Sequence, residues 1–143
     1  MKSDKRLIYL LSMAQLTLRG HVNASLTKAG VRVPLGQVGI LFLLAQKDLR
    51  TMSELGLAIK VDNSAMTRII DRLEMIGLVE RRIDPSNRRA ILIHITPEGL
   101  EEERKARNVI QHINGEIAAD YTVQEVDAYV KILKGIAEKF KTG

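Results

Sequence analysis

The chain has 143 residues, 45% of them hydrophobic, and a formal net charge of +5. That length suits one domain, or one domain with an added dimerisation layer, and a pI near 9.6 suits a polyanionic partner. The lack of cysteine excludes thiolate catalysis, thiol redox sensing and cysteine-ligated zinc, and no apolar run reaches the ~20 residues that span a bilayer.

The first segment, MKSDKRLIYLLSMAQ, mixes charges with a short apolar run and does not read as a cleavable signal. Lys5 to about Lys28 reads as a long helix. Its stripe is Leu7, Leu10, Leu11, Ala14, Leu18 and Val22, widened by Ile8 and Leu26. A second helix, Leu35 to Gln46, is so dense in apolar residues from Ile40 to Leu44 that burial on nearly every side is expected. Thr51-Met52-Ser53-Glu54 has the spacing of a capping box, in which Thr51 bonds the Glu54 amide and Glu54 reaches back. It opens a short helix from Ser53 to Ile59 that carries Leu55 and Ala58. Gly56 inside it costs about 1 kcal/mol against Ala, which points to a close helix contact.

Lys60-Val61-Asp62 leaves room only for a tight turn, and Asp62 is placed to cap the next helix. Ile69, Leu73 and Ile76, with Ile70 beside them, form the apolar stripe of that helix. Ser64, Thr67, Arg68 and Arg72 fall on its polar side, and Gly77 ends it. Leu78–Ile83 and Ile91–Thr96 are β-prone and flank the turn residues Asp84-Pro85-Ser86-Asn87. Arg81, Arg82, Arg88 and Arg89 bracket this hairpin. Two short helices joined by a tight turn, then a basic hairpin, make a winged helix-turn-helix. The fold class is mainly α with a small β-hairpin, and the second helix of the unit is the one expected in a major groove.

Thr96 caps a fifth helix with Pro97 at its first position, and Glu98 and Glu101 to Glu103 suit the positive end of its dipole. Thr122-Val123-Gln124-Glu125 is a second capping box, followed by Val126, Tyr129, Val130, Leu133, Ile136, Ala137 and Phe140 at helical spacing. A small winged helix cannot bury apolar stripes from both chain ends. Packing the terminal helices on each other and on a second copy resolves this, with Leu7, Leu10, Leu11, Val126, Leu133 and Phe140 as dimerisation candidates.

The chain resembles the MarR family of bacterial transcriptional regulators. The residues that carry the resemblance are SAMTRIIDRLEMIGLVERR, Ser64–Arg82, and DPSNRRAILIHITPEG, Asp84–Gly99, which ends in Ile95-Thr96-Pro97-Glu98-Gly99. The likeness in length and helix order covers essentially the whole chain. It implies a single 1–143 domain, with a winged helix-turn-helix over about 35–96 and dimerisation helices over about 5–29 and 97–141. It also implies a cytoplasmic homodimeric repressor on a palindromic operator, released by a small-molecule effector, with no cofactor. Arg88 would enter the minor groove and Arg89 would brace the wing through an acid. Pro34 departs from the pattern, where a capping Thr is common before Gln37. Asn87 departs from a common Asp.

The candidate DNA-binding set is Ser53, Asn63, Ser64, Thr67, Arg68, Arg72, Asn87, Arg88 and Arg89. Arg bonds guanine bidentately, and Ser and Thr meet bases or phosphate. Asn63 lies where first-turn amides meet a phosphate. The plain alternative for each is a solvated face, and for Arg72 an ion pair with Asp71, Glu74 or another acid. The lysines near the ends, Lys2, Lys5, Lys131, Lys134, Lys139 and Lys141, read equally as solvated. His21, His94 and His112 lack the spacing of a helical metal pair, so no metal is expected. Met52, Met66 and Met75 read as packing residues. No nucleophile elbow, phosphate-cradling loop or short-range His–carboxylate pair suggests an enzyme. Rival readings are a winged-helix module that docks on protein, for which Asp84–Ala90 offers no apolar anchor, and a metal-responsive regulator. A membrane-surface role lacks a basic face opposite aromatic residues.

Overall fold

The computed structural model describes residues 3–142; Met1, Lys2 and Gly143 lie outside it. The element order is α1 (Leu7–Lys28), α2 (Leu35–Gln46), β1 (Arg50–Thr51), α3 (Met52–Ile59), α4 (Asn63–Met75), β2 (Val79–Asp84), β3 (Asn87–Ile95), α5 (Pro97–Ala119) and α6 (Val123–Lys139). The strands form an antiparallel sheet in the order β1-β3-β2. The chain divides into two compact units, one through Val109 and one from Ile110, with α5 running through both.

The core of the first unit lies where α2, α3, α4 and the hairpin converge. Ile40, Leu41, Leu44, Leu55, Met66, Ile70, Leu73, Leu78 and Ile93 are fully or almost fully buried. Each such side chain contributes roughly 1.5–3 kcal/mol of transfer free energy. The buried stripe of α4 is therefore Met66–Ile70–Leu73, and Ile69 and Ile76 are only half-buried. The spacing is the expected one, shifted in phase. On α2, Phe42 is 44% exposed, so this helix has an open side that its composition hides. On α3, Leu55 is buried but Ala58 is exposed.

Local chemistry places the helix-turn-helix. Thr51 Oγ1 accepts from the Glu54 amide at 3.1 Å, but the Glu54 carboxylate meets the Thr51 hydroxyl at 3.3 Å. Only half of the expected box forms, and Thr51 is also a strand residue paired with Leu92. Lys60 takes the left-handed conformation (φ 61°) that turns the chain. Asp62 then caps α4, its Oδ1 2.7 Å from the Ala65 amide. Gly56 is buried; a Cβ there would sit 3.0 Å from the Val61 carbonyl oxygen and 3.1 Å from Met66 Cγ. That is the close contact its sequence position suggests. Gly77 follows the end of α4 with φ 82°, a conformation glycine adopts without the Cβ clash.

Pro34 leaves α2 without a cap of its own, and α1 supplies one: Asn23 Oδ1 accepts from the Leu35 amide at 2.8 Å. Thr96 performs two tasks before α5. Its hydroxyl donates to the Gly77 carbonyl at 2.6 Å and accepts from the Gly99 amide at 3.0 Å.

The outer stretch of α1 carries large exposed apolar side chains. Leu7 is 70% exposed, Leu10 41% and Leu11 42%, whereas Val22 and Leu26 are buried. In the second unit the Thr122–Glu125 capping box forms in full, yet α6 buries no residue. Val126 and Leu133 are half-buried, and Phe140 is exposed. Among the described residues, no helix is long and apolar enough to cross a membrane.

Candidate nucleic-acid interface

The capped start of α4 displays Asn63, Ser64, Thr67 and Arg68 to solvent, with Arg72 exposed further along. Thr67 spends its hydroxyl proton on the Asn63 carbonyl at 2.9 Å, which leaves its oxygen outward as an acceptor. Ser53 is exposed in the first turn of α3. Asn87, Arg88 and Arg89 are exposed at the far end of the hairpin, at the start of β3, where the pairing of β2 with β3 shifts register between Ile83 and Asp84. Among the described residues, the guanidinium groups of Arg68, Arg88 and Arg89 make no hydrogen bond or ion pair.

The basic residues divide by role. Arg81 is tied down: its amide and Nη1 bond Glu74 at 3.0 and 2.6 Å, and Nη2 bonds Asp71 at 2.5 Å. These pairs, Asp71 first, hold the Arg81 guanidinium above its ordinary pKa against the opposing effect of burial. Asp71 and Glu74 both lie on α4, so Arg81 fastens the wing to the helix. Neither acid holds Arg72. Its Nη2 instead donates to the Arg32 carbonyl at 3.3 Å.

Among the described residues no acid meets the Arg89 guanidinium, whereas the resemblance implies that Arg89 braces the wing through one. The turn is held locally instead. Asp84 Oδ1 accepts from the Ser86 amide at 2.9 Å and the Ser86 hydroxyl at 2.8 Å, and Asn87 Oδ1 accepts from the Arg89 amide at 3.2 Å. The Ser86 amide, more than any other group, lowers the Asp84 pKa. The carboxylate of the turn is thereby occupied by the turn itself, and Arg89 is left without an acid.

Contacts that the sequence hides lie between distant segments. His94 Nδ1 is 2.5 Å from Asp48 Oδ2, and Asp48 Oδ1 accepts from the Ile95 amide at 2.9 Å. These are 46 and 47 residues apart, so no short-range motif could show them. His112, by contrast, lies 3.5 Å from Glu116 four residues on, a short-range His–carboxylate pair that the sequence reading passes over, and no cluster of three or more His, Asp or Glu positioned for a metal occurs among the described residues. Met66 is a core residue and Met52 is half-buried, but Met75 is 85% exposed and does not pack.

A model of the MarR family matches residues 33–91, which takes in α2, the helix-turn-helix and most of the wing. The HTH-type transcriptional regulator YsmB of Bacillus subtilis, itself uncharacterized, is 33% identical over 107 residues, 73% of this chain and 70% of that protein. The chain belongs to the MarR family. The multiple antibiotic resistance protein MarR of Salmonella typhimurium is 33% identical over 87 residues, 60% of each chain. The chain spans about 60% of the length of several of the curated relatives it matches. In three dimensions it is similar to a cysteine-to-serine mutant of MarR from E. coli solved with operator DNA. The TM-score is 0.82 and the identity 26%, covering 94% of this chain and 99% of that one. The MarR architecture is thus present in this chain from α1 onward.

Proposed function

We propose that this protein is a homodimeric, sequence-specific DNA-binding repressor that reads a palindromic operator in the cytoplasm and answers a small-molecule effector. One observation carries the reading. Arg68 on α4 and Arg88 and Arg89 on the wing are exposed and unpaired among the described residues, while Arg81 fastens the elements that bear them. Cations held apart from carboxylates on a rigid frame suit phosphate and base edges. The operator complex of the E. coli relative supports the same use of this fold. Thr67, Ser64 and Asn63 would flank Arg68 in the major groove, and Ser53 and Asn87 would meet the backbone.

Dimerisation completes the proposal. The bare faces of α1 and α6, from Leu7, Leu10 and Leu11 to Phe140, are what a second copy would cover. A two-fold dimer presents two α4 helices about one turn of DNA apart. An effector would act by favouring one spacing of those helices over another.

A protein-docking reading has one point in its favour. Ile83 and Ile91 are cross-strand partners on the wing and are 66% and 46% exposed, an apolar patch just outside the turn. Selection of bound fragments from the source genome, followed by footprinting, tests the proposal against it. Two inverted half-sites about 10 bp apart, centre to centre, are expected. A single unrepeated site contradicts the symmetric reading, and failure to enrich any fragment favours protein docking.

A further inference from the structure

Between α1 and α2 lies a strap, Gly30 to Pro34, that is fastened on every side. Val31 and Val33 are buried, and the Val31 amide bonds the Leu26 carbonyl at 2.9 Å. At its centre, the Arg32 amide and Nε both bond Oε2 of Glu102, at 3.0 and 3.4 Å. Glu102 is on α5 and only 3% exposed, and a carboxylate so buried is costly unless paired. The Arg32 carbonyl, on the same peptide segment, accepts from Arg72 Nη2 of α4 at 3.3 Å.

We infer that Glu102, Arg32 and Arg72 form a relay that sets the position of α4 relative to the start of α5, making Arg72 a positioning residue rather than chiefly a phosphate contact. The reasoning is geometric. Glu102 fixes both the amide and the side chain of Arg32, which fixes the direction of the next carbonyl. That carbonyl then holds the last turns of α4 through Arg72. Loss of the Glu102 acceptor frees the strap, and the strap frees the helix. The inference deepens the operator-binding reading, because the relay would hold the recognition helices at the spacing an operator demands.

Hydrogen exchange on the free protein tests the relay without DNA. In Glu102→Met, which removes the acceptor at similar volume, amides of residues 72–77 should exchange about fivefold faster or more, with those of the core strand around Ile93 unchanged. An unchanged α4, or an equal rise across the whole chain, overturns the relay. Arg72→Ala, at an exposed position that cannot unfold the core, should have the same effect on α4, and Arg72→Lys should restore slow exchange by keeping a donor.

A second measurement compares binding to operators of native spacing and of spacing lengthened by about 1 bp. Both Glu102→Met and Arg72→Ala should reduce the preference for native spacing about fivefold. If Arg72 did no more than neutralise a phosphate, Arg72→Ala would instead lower affinity for both operators equally and reduce the salt slope by about one; that result overturns the inference. If the parent binds no operator, the DNA reading fails, and the exchange measurement alone decides the relay.

Discussion

At the scale of single residues, the useful distinction is between arginines that hold the protein together and arginines left for a ligand. Arg68 has no partner among the described residues, so Arg68→Ala should leave the melting temperature nearly unchanged. It should cost ~1–3 kcal/mol of operator binding and relax preference at one position per half-site if it reads a base. Equal loss on specific and random DNA would assign it to phosphate. Arg88→Ala should weaken binding and reduce preference for A·T pairs, since a guanidinium in a narrow minor groove gains from the potential there. Arg89→Ala should behave like Arg88→Ala, with affinity lowered and stability kept, because no acid holds Arg89. Arg81→Ala should differ, lowering stability by about 1 kcal/mol, the modest figure suited to a partly exposed pair, along with affinity as the wing loosens. A melting curve and a binding titration on each variant separate the two groups.

At the scale of elements, local signals were legible and distant ones were not. The caps at Asp62, Thr96 and Thr122, the stop at Gly77 and the turn after Asp84 all depend on neighbours within a few residues. The helix-turn-helix and wing could therefore be read directly. The phase of α4 could not. Met66, Ile69, Ile70, Leu73 and Ile76 fit more than one apolar stripe, and packing against α3 and β2 buries Met66, Ile70 and Leu73. Strand β1, two residues long, has no periodicity to detect. The Arg32–Glu102 contact spans 70 residues and has no sequence signature. Acids at Asp71 and Glu74 hinted at an ion pair, but the hint pointed to Arg72 instead of Arg81, because only the fold brings β2 across α4.

Two expectations belong to this scale. Gly56→Ala should lower stability by about 1 kcal/mol, since overpacking of ~1–3 kcal/mol outweighs a helix-propensity gain of about 1 kcal/mol; unfolding by denaturant measures it, and a stabilised variant would show that the Val61 turn yields. The second concerns Asp48. Burial opposes its charge, but the Ile95 amide, the His94 ring and the Leu49 amide outweigh burial and hold its pKa below the ordinary 3.8. A depressed carboxylate pKa stabilises the fold above the unfolded value, and this contribution is lost as the pH falls through the folded value. Asp48→Asn should therefore be less stable than the parent at pH 7, and the two denaturation midpoints should converge as the pH drops below about 4. A gap that stays constant with pH would mean that the Asp48 charge contributes nothing.

At the scale of the whole molecule, a second copy of the chain is what would cover the apolar faces of the terminal helices. Leu11 on α1 and Leu133 on α6 lie on stripes that the chain itself leaves open or half-covered. Leu11→Asp or Leu133→Asp should weaken the dimer and DNA binding together, as sedimentation and titration would show; a parent that binds DNA tightly as a monomer would contradict this. Specific operator binding is tested by titrating the protein against a selected palindromic site and a scrambled site across a range of salt concentrations. With about six phosphates neutralised per dimer, the log–log slope should be about −5, and the palindrome should be preferred by about a thousandfold or more. Equal affinity for both sites at every salt concentration would contradict the account.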